Sequence, residues 1–195
     1  MKKILLVLMS TLLLTGCVSQ TTTVTIDDKA SATIEKKFSM GSTYTSADKL
    51  SKMVGDKFLE VVRTQNPESL MKYQTEKDSG YVAVLKTENI TKEDIFAKEQ
   101  FFKPTNKKNL ECKASKNKTE CKADFVVNIA SPEIDKLLKD NGLTYQDLDP
   151  YTLVMKLPVQ AESHNAKFFD LKNYVYIWEI PLGEPSPVNL KFTIK

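Results

Sequence analysis

Apolar and polar positions change period several times along the chain, and each change predicts an element. Residues 22–26 alternate, with Val24 and Ile26 on one face. Asp27-Asp28-Lys29 reads as a turn. Ala32, Ile34, Phe38 and Met40 then resume a period of two that Lys36 interrupts, so the segment predicts a β-hairpin. From Ala47 the spacing becomes helical: Leu50, Met53, Val54, Phe58, Val61 and Val62 follow at steps of one, three or four. Thr45 with Asp48 forms a capping-box pattern and Asn66-Pro67 ends or restarts the run, which predicts a helix over 46–65. Residues 80–85 read as a strand. A second capping pattern, Thr91-Lys92-Glu93-Asp94, opens a predicted helix that carries Ile95, Phe96 and Phe102. A short third helix starts at Ser131-Pro132, carries Ile134, Leu137 and Leu138, and stops at Asn141-Gly142. Strand candidates at 152–160, 174–180 and 188–194 close the chain. Hairpins mixed with a few helices, without a regular βαβ rhythm, predict an α+β fold. The expectation is one domain over 23–195, an antiparallel sheet with two or three packed helices.

The first residues follow a different logic. Met1-Lys2-Lys3 is a short positive region, and residues 4–14 (ILLVLMSTLLL) are an apolar run of eleven residues. At about 1.5 Å per residue such a run reaches roughly half of a 30 Å hydrocarbon core, short for a spanning helix and right for a signal peptide. Leu14-Thr15-Gly16-Cys17 follows at once, and it resembles the lipobox of bacterial lipoproteins. The resemblance implies cleavage between Gly16 and Cys17, a diacylglyceryl group on the Cys17 thiol, and often an acylated amine. Residues 1–16 are then a cleaved signal peptide, and the Ser/Thr-rich 17–22 a lipidated N-terminus with a short tether. Two or three acyl chains hold a protein on a membrane stably, where one does not. Val18, rather than aspartate, follows the cysteine, which in a host with two membranes favours the outer one.

The cysteine count agrees with export. Of three cysteines, Cys17 is assigned to lipid, and Cys112 and Cys121 remain in LECKASKNKTECKADF at 110–125. The segment reads as two strands around a polar tip. If Lys116-Asn117 form a two-residue turn, Ser115 pairs with Lys118 and Cys112 falls opposite Cys121, at a Cα separation of about 4.5 Å that a disulfide spans. A longer loop supports the same bridge. A redox switch or a metal site is the alternative, but the pair has no nearby histidine and lacks Cys-x-x-Cys spacing, so a structural disulfide fits better.

The 195 residues hold 28 Lys+Arg and 25 Asp+Glu, a net +3, and 41% hydrophobic residues. Such an even balance offers no basic stripe for nucleic acid. One histidine, His164, excludes a multi-histidine metal site. Neither Ser163 beside it nor any Gly-x-Ser-x-Gly motif forms a nucleophile elbow, and with six glycines there is no phosphate-cradling loop. The acid pairs Asp27/Asp28 and Asp147/Asp149 look like turn residues. The expectation is no catalytic residue, no metal, no cofactor and no enzymatic activity. Tyr174, Tyr176 and Trp178 share one face of a strand. They read either as a face of a strand buried on both sides or as an aromatic-lined binding surface.

The tail Leu157-Pro158-Val159, Ser163-His164-Asn165-Ala166, Tyr174-Val-Tyr-Ile-Trp178 and Asn189-Leu-Lys-Phe192 resembles the closing portion of a family of uncharacterised bacterial lipoproteins, the mycobacterial LppM type among them. That resemblance implies an α+β domain with a lipid- or glycolipid-binding ectodomain. Members often have a glycine after the Leu-Pro pair, where Val159 stands here. The reading that results is an envelope lipoprotein, membrane-bound through its anchor, with a non-enzymatic binding role for a lipid-like ligand. A scaffold or assembly factor that binds another envelope protein is the alternative, and an envelope hydrolase a third. A lipid binder should keep an apolar cavity between the 46–65 helix and the sheet; a scaffold should show an exposed apolar patch or a free strand edge.

Overall fold

A computed structural model describes residues 18–41, 59–60, 62–75, 78–85, 88–97, 99, 101–130, 132, 135–136, 139, 144–147 and 149–195. Alternation of apolar and polar residues governs almost all of them. The strands are β1 (Val18–Ile26), β2 (Ser31–Gly41), β3 (Ser69–Gln74), β4 (Asp78–Val84), β5 (Glu88–Asn89), β6 (Phe102–Pro104) and β7 (Leu110–Ala114). They continue with β8 (Thr119–Val127), β9 (Tyr151–Lys156), β10 (Ser163–His164), β11 (Phe168–Asp170), β12 (Val175–Ile180) and β13 (Ser186–Ile194). One sheet has eight strands, ordered β11-β12-β9-β1-β2-β4-β3 with β5 also on β2. The other has five, ordered β10-β13-β8-β6 with β7 also on β8.

The two sheets face each other. On the large sheet Val24, Ile26, Ala32, Ile34, Leu153, Met155, Tyr176 and Trp178 point inward. They meet Cys121, Ala123, Phe125 and Val127 of β8 and Val188, Leu190, Phe192 and Ile194 of β13 in one core. Phe96, Phe102 and Phe125 have ring centroids 5.0–5.2 Å apart at its centre. The large sheet extends beyond the small one at its β4–β3 end. There Phe38 and Ala83 pack on Val62, at the end of a helical turn, in a second, smaller cluster. Gly80 is required in β4, because a Cβ there would lie 1.9 Å from the carbonyl oxygen of Phe38.

This architecture corrects the α+β expectation. The protein is mostly β, a two-sheet sandwich, and no helix of seven or more residues occurs among the described residues. The pattern at 91–94 does not start a helix. Asn89 Oδ1 accepts from the backbone and hydroxyl of Thr91, and Asp94 Oδ1 accepts from Phe96 N at 3.1 Å. These side chains close successive turns, the competing use of Asn and Asp that also explains their value as caps. The 46–65 helix falls largely outside the described residues; 59–60 and 62–64 are helical, and Asn66 follows at φ 51°. Residues 132, 135–136 and 139 of the expected third helix are helical, and the rest of it lies outside the described residues.

The sheets are not purely antiparallel: β1 runs parallel to β9, with Thr21 opposite Thr152. The expected tether is also strand. Val18 already pairs with Met40, and Thr22 is buried, as suits a run of β-branched threonines.

Candidate functional site

Lys36 sits at the inward-facing parity of β2, between Ile34 and Phe38. It does not interrupt the buried stripe; it is part of it, with a side chain 6% exposed. A buried ammonium requires a partner. Glu99, from the turn segment after β5, supplies one at 2.6 Å and is itself 14% exposed. The pair lies at the seam where the sandwich core gives way to the smaller cluster. Nearby, Tyr151 of β9 is buried. Burial pushes its hydroxyl well above the ordinary range, the charge of Glu99 adds to the push, and a hydrogen bond with Thr22 opposes it. That phenol stays protonated at physiological pH.

The same seam holds a cavity of about 510 Å³, within the range typical of small-ligand sites. Its apolar wall is Ala32 and Ile34 of β2 with Leu85 and Ile95. Its polar wall is Glu88, Glu93, Asp94 and Glu99, and Gln65 and Asn66 close it from the helical turn. Asp94 fixes the turn segment in place. Its Oδ2 accepts from the backbone and side-chain nitrogens of Asn109 at 2.9 and 3.1 Å, and this ties the cavity wall to the start of β7. Sequence reading missed Lys36 and Glu99 as a pair. The available signal was a lysine at the inward parity of an otherwise apolar strand.

The sequence-derived sites fall elsewhere. Cys112 and Cys121 face each other across β7 and β8 and are joined by a disulfide, with Cα atoms 4.1 Å apart. Ser115 N donates to Lys118 O at 2.8 Å around the Lys116-Asn117 turn. Tyr176 and Trp178 do not form a binding surface, because both are buried in the sandwich core. The Tyr176 hydroxyl accepts from Ala161 N at 2.8 Å, and Trp178 Nε1 donates to Asn165 Oδ1 at 2.8 Å. Asn165 Oδ1 also accepts from Asn189 N, and its amide donates to Pro187 O. The aromatic stripe and the Asn-Ala turn are thus one structural staple. Tyr174 belongs to the turn before β12, half-buried at φ 51°. His164 packs edge-on to Phe169 at 4.8 Å, with exposed Ser163 before it and no catalytic array around it among the described residues. Gly16 and Cys17 lie outside the described residues. No group of metal-ligating side chains occurs among those described.

The fold is similar to a known one. It matches the NMR structure of the folded domain of LppM from Mycobacterium tuberculosis with a TM-score of 0.51 and 14% identity, over 90% of this chain and 88% of that one. At that identity the likeness is one of fold, and it agrees with the LppM-type resemblance of the tail. No protein-family model matches the chain, and no curated protein is similar to it.

Proposed function

We propose that the protein is a cell-envelope lipoprotein, anchored through Cys17, whose domain binds a lipid-like ligand in the seam cavity without transforming it. The cavity carries this reading: its size suits a small amphiphile, and its apolar wall on the sheet is closed by Gln65 and Asn66, just after the helical residues 62–64. The lipobox-like Leu14-Thr15-Gly16-Cys17 supports the anchor, and the LppM-like fold supports the family setting. In a host with two membranes, Val18 after the cysteine favours the outer membrane.

Native mass spectrometry on residues 18–195, purified gently from the envelope of its own host, tests the binding role. A stoichiometric co-purified amphiphile is the expected result, and a ligand-free mass that stays unchanged when amphiphiles are added back would remove it. The anchor is tested separately: Cys17→Ser should release the full-length protein from membranes, and retention of that variant would refute lipidation.

A second reading, a scaffold for another envelope protein, is favoured by the β11 edge. Phe168, Phe169 and Leu171 are 49%, 53% and 50% exposed there, a grouping of apolar side chains at a sheet edge that partner strands can use.

A further inference from the structure

Resting on the Cys17 anchor proposed above, we infer that the outer face of the large sheet, at its β11 edge, lies on the bilayer that holds the anchor. Phe168 of β11, Ile177 of β12 and Val154 of β9 are Cα partners in one row across three strands, and the row continues to Thr23 of β1. Direct partners share a sheet face. This face is turned away from the small sheet, because the adjacent Met155, Tyr176 and Trp178 point into the core. Among the described residues, neither apolar cluster includes the three side chains. Phe168 is 49% exposed, and Ile177 and Val154 are half-buried. The solvated face of an antiparallel sheet is polar at such positions, so an apolar row there calls for a cover. Phe169 and Leu171, both exposed, carry the apolar surface around the edge.

The occupant follows from where the chain is tied. Val18 already pairs with Met40, so a single peptide unit separates Cys17 from β1. An acyl anchor at Cys17, with no linker between it and the strand, holds the sheet against lipid. Phe168 stands level with Thr23, about 17 Å along β1 from Val18 and about 14 Å across three strand spacings, so about 22 Å from the tied end. A protein partner has to arrive by diffusion, whereas the bilayer is always present at the high effective concentration that a short tether sets. The edge also carries the mixture of side chains that a lipid interface takes. Lys167 Nζ lies 5.2 Å from the centroid of the Phe168 ring and pairs with Glu179 at 2.5 Å, and Lys172 is exposed in the turn that follows. Aromatic rings enter the acyl boundary while lysine stems reach back to the head groups. The outer face of the small sheet, where Lys113 is exposed, then points away from the membrane.

The test uses the full-length lipoprotein, purified from membranes, checked for acyl chains by mass, and placed in vesicles of phosphatidylethanolamine and phosphatidylglycerol. Phe168→Trp puts a reporter in the apolar row, and Leu171→Trp a second one at the same edge. Lys113→Trp puts a control on the outer face of the small sheet, and the parent supplies the background of buried Trp178. Lipids brominated along the acyl chain should quench the added emission of Phe168→Trp and Leu171→Trp by about half, as insertion into the acyl boundary requires. They should leave Lys113→Trp unquenched. An unchanged far-ultraviolet spectrum is the control for folding. If the protein carries its acyl chains and the two edge variants are quenched no more than Lys113→Trp, the inference is overturned, the anchor stands, and the edge is left to a protein partner. A protein without acyl chains would remove the anchor reading, and this inference with it.

Discussion

The inner face of the eight-stranded sheet is covered in two different ways. Under the five-stranded sheet it is apolar and aromatic, with the rings of Phe96, Phe102 and Phe125 in mutual contact and Trp178 in the same core. At the seam beside it the same face carries a buried ion pair and opens into an acid-walled cavity. The first region obtains its stability from area removed from water, the second spends stability on charge. Desolvating an ammonium and a carboxylate costs several kcal/mol per ion, and their attraction roughly cancels it. A fold has no need of such a pair for strength, so its place at the cavity wall is a reason to look for function there rather than under the small sheet.

Breaking the pair from one side is the sharpest test of that contrast and carries the largest effect. Glu99→Leu leaves Lys36 buried without a counter-charge and should destabilise the domain by about 3–5 kcal/mol in urea denaturation. The double replacement Lys36→Met/Glu99→Leu should return to within about 1 kcal/mol of the parent, because a packed apolar pair has no charge to desolvate. If the single variant lost less than about 1 kcal/mol, the seam would be wet and the contrast with the sandwich interior would disappear.

The disulfide tests the other region. It closes a short ring between β7 and β8, with Cys112 and Cys121 both inward-facing and buried. On the chain-entropy account, Cys112→Ser/Cys121→Ser should cost about 2.5–3 kcal/mol. The loss should leave binding at the seam unchanged. An affinity for amphiphile at the seam that fell together with stability would show that the two regions are coupled, through Asp94 and its bonds to Asn109 at the start of β7.

The two regions also differed in how far the sequence revealed them. Where strand alternation met a short polar tip, as at 110–125, the bridge followed from counting under either loop length, and the structure selects the two-residue Lys116-Asn117 turn that fixes the register. The first hairpin and strands β9, β12 and β13 were legible for the same reason, while the short β10 and β11 were not. The seam was not. Thr91-Lys92-Glu93-Asp94 satisfies a capping box, yet Asp94 is used by residues 109 and 110, contacts no local pattern contains. Lys36 looked like a break in a stripe because hydropathy scores a lysine as outward, while its partner Glu99 stands 63 positions away. The aromatic stripe was open between core and surface until Asn165 supplied the Trp178 indole with an acceptor. Long-range polar partners decided each of these cases, and they leave no period in the chain.

The weakest effect expected belongs to charges that neither region buries. On the outer face of the small sheet, a hydrogen bond from Lys191 and then one from Thr193 hold Glu162 below its ordinary 4.5, and Lys118 does the same to Glu120. A carboxyl group that is more acidic in the folded state stabilises it fully above 4.5, and this contribution fades as pH falls through the lowered value. Lys191 is raised above 10.5 by Glu162, so its contribution is full below that pH and is lost as pH rises through the raised value. Both groups are solvent-exposed, and salt screens them. The melting temperature should therefore drop by about 1–3 °C as pH falls from 5 to 3 in low salt, beyond the fall seen in a Glu120→Gln/Glu162→Gln variant. In about 0.5 M salt the difference between the two proteins should shrink, because these ions sit in water. The ion pair at the seam is enclosed, and the cost of Glu99→Leu should be the same in high salt as in low. Equal salt sensitivity at the two places would mean that Lys36 and Glu99 meet solvent as freely as Lys191 and Glu162, and the charge at the cavity wall would then be an ordinary surface feature.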